Sequence, residues 1–201
     1  SKLKQNKLAG EVAHSLMAPP YRMVNSESTL MPEIQPKMAS VLLLLYPNKF
    51  GEMNFVLTRR RVYKGIHSGQ ISFPGGKPDP LDDDLWATAL RETHEEIGIL
   101  SNEVIYIRSL SKLYVPPSNF LIIPYVGYLQ SPYIFKPDPR EVKAILEISL
   151  MDFINKESKL TKQLNSNSTS IKVPAYIFDQ NVVRGATAMI LSEFKMLFSA
   201  V

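Results

Sequence analysis

From Met38 to Tyr46 the chain is apolar almost without interruption, with Leu42-Leu43-Leu44-Leu45 at its centre. The run has the length of a strand and is far short of the ~20 residues a membrane-spanning helix needs. A strand without polar alternation is buried on both faces, so the sheet it joins needs cover on both sides. Pro47-Asn48-Lys49-Phe50-Gly51 supplies a turn. Asn54 to Arg59 then reads as a second strand, and the pair reads as a hairpin. With 201 residues, the chain is long enough to bury a sizeable core.

The remaining pattern supplies the cover. Residues 2–17 read as a short helix, with Leu3, Leu8, Val12 and Leu16 at helical spacing, stopped by Met17-Ala18-Pro19-Pro20. Residues 24–36 read as a surface connection, and residues 60–80, rich in Gly and Pro, as loop. Asp82 to Ile97 is the clearest helix: Asp82, Asp83 and Asp84 load its start with negative charge, and Gly98 closes it. Strands are expected at 103–114, at 120–130 and from Glu141 to Ile148, with a short helix at 150–155. Lys159–Leu164 and Ile171–Phe178 read as a hairpin around the polar loop Asn165–Ser170. Ala186 to Phe198 reads as a terminal helix with Met189, Ile190, Phe194 and Leu197 on one face. Together these predict an α+β fold, one mixed β-sheet covered by helices. Residues 1–36 form an N-terminal helix and connecting segment, and residues 37–201 the main domain, with no linker that forces a second one.

Composition excludes several chemistries. Cysteine is absent, which removes disulfides, thiolate metal sites and a cysteine nucleophile, and fits a reducing cytoplasm. The net charge of +4 suits an anionic ligand but is too small and too scattered to indicate nucleic-acid binding. No membrane-spanning segment is expected, and the basic start, Ser1 to Lys7, is not followed by the apolar core and cleavage site of a secretory signal. The expected location is cytoplasmic. Ser118 lacks the His and Asp partners a serine nucleophile needs.

Chemistry concentrates in the helix that follows Gly75-Gly76. At ~100° per residue, Glu92 and Glu96 fall about 40° apart on one side of it. Glu95 is the neighbouring position, and Arg91 lies beyond it. Leu85, Trp86, Ala89, Leu90, Thr93 and Ile97 occupy the adjacent arc that packs on the sheet. Carboxylates four residues apart repel each other by a few tenths of a kcal/mol. A hard divalent cation removes that repulsion, and Mg²⁺ prefers oxygen ligands shared with water and phosphate. A solvated acidic face is the plainer account of such a helix. The loop Phe73-Pro74-Gly75-Gly76 shifts the balance, because bare backbone can approach a ligand closely there and offer a carbonyl.

A glycine loop leading into Arg91-Glu92-Thr93-His94-Glu95-Glu96-Ile97-Gly98-Ile99 resembles the Nudix hydrolase family. Its box is written G-x5-E-x7-R-E-U-x-E-E-x-G-U, with U aliphatic. Residues 91–99 match the second half, with Thr93 in place of an aliphatic residue. Gly76 is one residue further from Arg91 than the pattern has it, so the first Glu of the box falls on Asp83 counted from Arg91 or on Asp82 counted from Gly76. Upstream, Val56-Leu57-Thr58-Arg59-Arg60, Gly69 and Phe73-Pro74-Gly75-Gly76 are similar to the extra motif of the Nudix coenzyme A diphosphatases. Arg61 and Gly65 depart from it. Ser118 to Gly127 and Gly185-Ala186-Thr187-Ala188 also look like that subfamily.

The resemblance implies an α/β/α sandwich and a diphosphatase that uses Mg²⁺ or Mn²⁺. Glu92 and Glu96 would hold the cations, with help from Glu95 and the Gly76 carbonyl. Arg91 would orient the carboxylates. Glu95 is the first choice for general base, with Glu92 and Glu141 as rivals. Arg60, Arg59, His67, Gly75 and Gly76 are the expected substrate contacts. The substrate implied is coenzyme A or an acyl thioester, cleaved to 3′,5′-ADP and 4′-phosphopantetheine or its acyl form. Alternatives are ADP-ribose, another nucleoside diphosphate derivative, a dinucleoside polyphosphate, or a catalytically silent nucleotide-binding regulator. The family is compatible with a homodimer, which no segment of this chain specifies.

Overall fold

The computed structural model describes residues 2–20, 22, 35–61, 69–164 and 170–199. In chain order the elements are α1 (Lys2–Gln5), α2 (Glu11–Ser15), β1 (Lys37–Pro47), β2 (Met53–Arg60), β3 (Ile71–Ser72), β4 (Gly75–Gly76), α3 (Leu85–Ile97), β5 (Ile105–Ser109), β6 (Leu113–Val115), β7 (Phe120–Tyr128), β8 (Val142–Ser149), α4 (Leu150–Asn155), β9 (Lys159–Leu164), β10 (Ser170–Phe178), β11 (Asn181–Arg184) and α5 (Gly185–Ser199).

β1 is the spine. It pairs antiparallel with β2 across the turn, Leu45 opposite Phe55, and parallel with β7 from Lys37–Phe120 to Leu45–Tyr128. β4 pairs with the first half of β1, β8 and β3 pair with β2, and β5 and β6 pair with β7, all antiparallel. The result is a mixed eight-stranded sheet, beside which β9, β10 and β11 form a second, antiparallel one.

The pleat of β1 sorts the core into two layers, because successive side chains point to opposite faces. Leu42, Leu44 and Tyr46 pack with Ala89 and Ile97 of α3. Leu43 and Leu45 pack with Phe153 of α4, Tyr176 of β10 and the Ala188 to Leu197 stripe of α5. Leu42, Leu43 and Leu44 have no exposed surface, and each contributes about 2 kcal/mol of burial. This is an α/β/α sandwich, as expected. Among the described residues no helix is long and apolar enough to cross a membrane.

Several boundaries differ from the expectation. The helix expected over residues 2–17 is two short pieces. Gly10 between them takes φ +52° and turns its N–H to the Glu193 carboxylate on α5, 2.8 Å away. The supposed loop 60–80 contains β3 and β4, two-residue strands too short to show a period. The strand expected over 103–114 divides into β5 and β6, with a register shift between Tyr106 and Arg108. α3 begins three residues later than expected, at Leu85. β11 was not anticipated. The loop Asn165–Ser170 lies outside the described residues except for Ser170, which opens β10.

Candidate active site

α3 is set by its ends. Asp84 is the N-cap, its Oδ1 accepting from the Ala87 N–H at 2.7 Å. Gly98 takes φ +77° and donates to the His94 carbonyl at 2.9 Å, a left-handed stop that favours glycine. Thr88, Ala89, Thr93, Glu96 and Ile97 are buried against the sheet, and Leu85 and Trp86 are half-buried. His94 points away, its Nδ1 2.9 Å from the Ile99 carbonyl.

With that face down, the next turn of α3 lies over β4. A Cβ on Gly76 would sit 2.3 Å from the Glu92 carboxyl carbon, so the bare backbone is what admits the carboxylate. Gly75 has φ +145°, and a Cβ there would meet the Ser40 carbonyl oxygen at 2.3 Å. Both glycines are thus required, for different reasons.

Arg91 is the hub of the exposed side. It forks onto Asp82, Nε to Oδ1 at 2.9 Å and Nη2 to Oδ2 at 3.1 Å. Nη2 also donates to the Lys77 carbonyl, and Nη1 to Glu92 Oε1 at 3.1 Å and Glu95 Oε2 at 3.2 Å. Of the two aspartates left open by the sequence, Asp82 is the one Arg91 meets, while Asp83 is exposed. The guanidinium holds the Asp82 carboxyl well below the usual range, and Asp82 in turn raises Arg91.

Glu96 departs from the expectation of a carboxylate presented along an edge. Its side chain is 2% exposed. Burial pushes its carboxyl up to about 8, with Glu92 and Glu141 adding to the rise and Arg60 opposing it. Arg60 Nη2 lies 3.3 Å from Glu96 Oε1, and among the described residues Glu96 Oε2 has no hydrogen-bond partner. Glu92 is also raised by burial, against Arg91.

The expected residues do not all converge. Arg60 stands in the site, whereas the Arg59 guanidinium bonds Asn181 of β11. Alternation explains the split: Val56 belongs to the α3 layer and Leu57 to the opposite one, so Arg60 and Arg59 lead to different faces. Glu141 is exposed, yet near enough for its charge to raise Glu92 and Glu96. His67 lies outside the described residues. Among the described residues no three acidic or histidine side chains are grouped closely enough to hold a metal ion, and Arg91 engages Glu92 and Glu95. Sequence reasoning missed Ser40, the ladder partner of Gly76. It is fully buried, and among the described residues its Oγ has no hydrogen-bond partner. Its only signal was a hydroxyl inside an otherwise apolar run.

Residues 36–164, the segment that carries β1, β4 and α3, match the NUDIX domain. The chain belongs to the Nudix family. An uncharacterized Nudix hydrolase of Photorhabdus laumondii is 33% identical over 138 residues, 69% of this chain and 73% of that protein. A mitochondrial Nudix hydrolase of Arabidopsis thaliana is 34% identical over 131 residues, 64% of this chain. The chain spans about half the length of the plant relatives it matches, 46% in each case. Among solved structures, a Nudix hydrolase from M. smegmatis superposes with a TM-score of 0.57 at 14% identity, covering 83% of this chain and 88% of that one. A MutT/nudix family protein from Enterococcus faecalis gives 0.55 at 15% identity, covering 96% and 76%. Those two likenesses establish the Nudix fold.

Proposed function

We propose that this Nudix chain is a divalent-cation-dependent diphosphatase acting on a nucleoside diphosphate derivative, with coenzyme A or an acyl thioester as its substrate. The observation that carries the reading is the buried Glu96, one oxygen unpartnered among the described residues, on the same helix as Glu92, whose carboxylate lies against Gly76. A buried, unsatisfied carboxylate oxygen is costly unless something occupies its lone pairs. An all-oxygen donor set suits Mg²⁺ or Mn²⁺. Glu92 and Glu96 would hold the ion, with help from Glu95 and the Gly76 carbonyl. When bound, the cation neutralises the diphosphate and lowers the pKa of water.

The chain's own residues do the rest. Glu95 is half-exposed and bonded to Arg91 only through Oε2. Its Oε1 takes the proton of the attacking water, with Glu92 and Glu141 as the alternative acceptors. The water oxygen bonds to phosphorus, and the bridging P–O bond breaks with its electrons on the departing phosphate. Arg91, anchored by Asp82 and the Lys77 carbonyl, fixes the angles at which Glu92 and Glu95 are presented. Support for coenzyme A within the diphosphate class comes from the Phe73-Pro74-Gly75-Gly76 run and from Gly185-Ala186-Thr187-Ala188. The latter opens α5, with the Thr187 hydroxyl bonded to the Ile71 carbonyl of β3.

Product analysis with Mg²⁺ or Mn²⁺ tests the proposal, comparing coenzyme A, ADP-ribose and a dinucleoside polyphosphate. Selective formation of 3′,5′-ADP from coenzyme A is expected. Turnover of another compound alone replaces the substrate and keeps the chemistry. Silence on all of them, with nucleotide binding retained, favours a regulator. Glu96→Gln is expected to abolish turnover without lowering thermal stability, and full turnover in that variant removes Glu96 from the mechanism.

A further inference from the structure

Arg60 ends β2 on the face that carries α3. Its Nη2 lies 3.3 Å from Glu96 Oε1 and 3.4 Å from the Gly75 carbonyl oxygen. The arginine side chain is 33% exposed and the glutamate 2%. One end of this ion pair is therefore fixed in the protein interior, while the other sits at the mouth of the site with solvent to turn into. A guanidinium in this position does for Glu96 what a metal ion would do: it neutralises a carboxylate that has left water.

A second cation cannot share the place. A divalent ion on Glu96 would lie within a few ångströms of Arg60, in surroundings drier than bulk water, and the two positive charges would repel strongly. Arg60 must then leave Glu96 and is itself stripped of its anion. A guanidinium forks onto phosphate oxygens as readily as onto a carboxylate. The diphosphate is the anion that the cation brings to this side of α3.

We infer that Arg60 is the counter-ion of Glu96 in the cation-free chain, and that it exchanges Glu96 for the substrate's diphosphate when a divalent cation binds. The inference rests on the cation-dependent reading above. It makes the exchange reciprocal: cation favours diphosphate by freeing Arg60, and diphosphate favours cation by drawing Arg60 away. It also gives Arg60 opposite effects on the two ligands, which a purely structural or purely substrate-binding arginine does not have.

The test uses the full chain and needs no turnover. Mn²⁺ affinity is read from the paramagnetic resonance of the free ion for wild type, Arg60→Gln and Arg60→Lys, with thermal unfolding as the check on folding. Arg60→Gln should bind Mn²⁺ about tenfold more tightly, and Arg60→Lys, which keeps the charge, about as wild type does. Calorimetry with imidodiphosphate at saturating Mg²⁺ should show about tenfold weaker binding for Arg60→Gln and a smaller loss for Arg60→Lys. Equal or weaker Mn²⁺ affinity in a folded Arg60→Gln overturns the counter-ion role. Unchanged imidodiphosphate affinity in a folded variant overturns the transfer. If Arg60→Gln does not fold, Arg60→Lys decides, since it should weaken imidodiphosphate while leaving Mn²⁺ alone. Failure of the wild type to bind Mn²⁺ at all is a separate result, and it removes the cation-dependent reading itself.

Discussion

Gly75 and Gly76 are neighbours in the chain and should fail in different ways when given a methyl group. At Gly76 the new Cβ meets the Glu92 carboxyl group, the far end of a flexible side chain. Glu92 can swing aside, so Gly76→Ala should cost about 1 kcal/mol or less of stability while displacing the carboxylate from the site. At Gly75 the Cβ meets the Ser40 carbonyl at 2.3 Å and the Val41 Cα at 2.6 Å, and φ is +145°. Backbone cannot step aside as a side chain does, and few L-residues tolerate that φ. Gly75→Ala should therefore cost about 3 kcal/mol or more. Urea unfolding of both variants, with Mn²⁺ binding measured alongside, checks the pair. Equal loss of stability at both positions would mean that Gly76 serves the ladder with β1 rather than the carboxylate. Asp82 and Ser40 carry the lesson about legibility at this scale. The spacing left two aspartates for one role, and only the Arg91 fork chose between them. Ser40 has no pattern of its own, and its place beside Gly76 appears only once two distant strands are paired.

Among the elements, those legible in the sequence were the ones whose signal is local. β1 announced itself because a run buried on both faces needs no context, and α3 because period, cap and glycine stop coincide. β3, β4 and β11 did not, since two to four residues hold no period and each forms only against a partner. The N-terminal helix was misread for a similar reason. Gly10 breaks it to reach Glu193, a residue 183 positions away. Glu193 has no exposed surface, and it accepts from the Gly10 N–H at 2.8 Å, the Ser111 N–H at 3.0 Å and the Ser111 hydroxyl at 2.6 Å, with His14 Nε2 at 3.4 Å. Burial alone would raise this carboxyl, but those partners outweigh it and hold the carboxyl below its ordinary value. A depressed acid stabilises the fold above its unfolded value, and the contribution is lost as pH falls through the folded one. The contact of α2 with α5 should thus weaken in acid. Glu193→Gln should cost about 1–3 kcal/mol at neutral pH and flatten the loss of stability below about pH 4. Urea midpoints measured across the acid range decide it, and an unchanged acid limb in the variant would assign that loss to other carboxylates.

For the molecule as a whole, the candidate site is a local excess of negative charge on a chain whose net charge is +4. Among the described residues, Asp82, Glu92, Glu95 and Glu96 are paired with Arg91 and Arg60. α3, which carries the three glutamates and Arg91, is wedged into the fold. Its face packs on β1, and its last turn is held by the Asp138 N–H on the Glu96 carbonyl at 3.0 Å and the Lys136 N–H on the Ile97 carbonyl at 2.9 Å. A ligand gripped by α3 is therefore gripped by the central strand, and its binding energy should appear as global stability rather than local stiffening. A cation that binds only the folded state adds RT ln(1 + [L]/Kd), about 2.7 kcal/mol at a hundredfold excess over Kd. In a chain of this length 1 kcal/mol is worth about 2–4 °C, so the unfolding midpoint should rise by roughly 5–11 °C. The rise should continue with the logarithm of Mn²⁺ concentration, because linkage has no plateau while the unfolded chain does not bind. EDTA should reverse it, and Glu96→Gln should abolish most of it. Calorimetric unfolding over a Mn²⁺ series measures this directly. A wild-type midpoint indifferent to Mn²⁺ would leave the acidic face of α3 as a charge network closed on its own arginines, with Glu96 neutralised by Arg60 rather than kept for a metal.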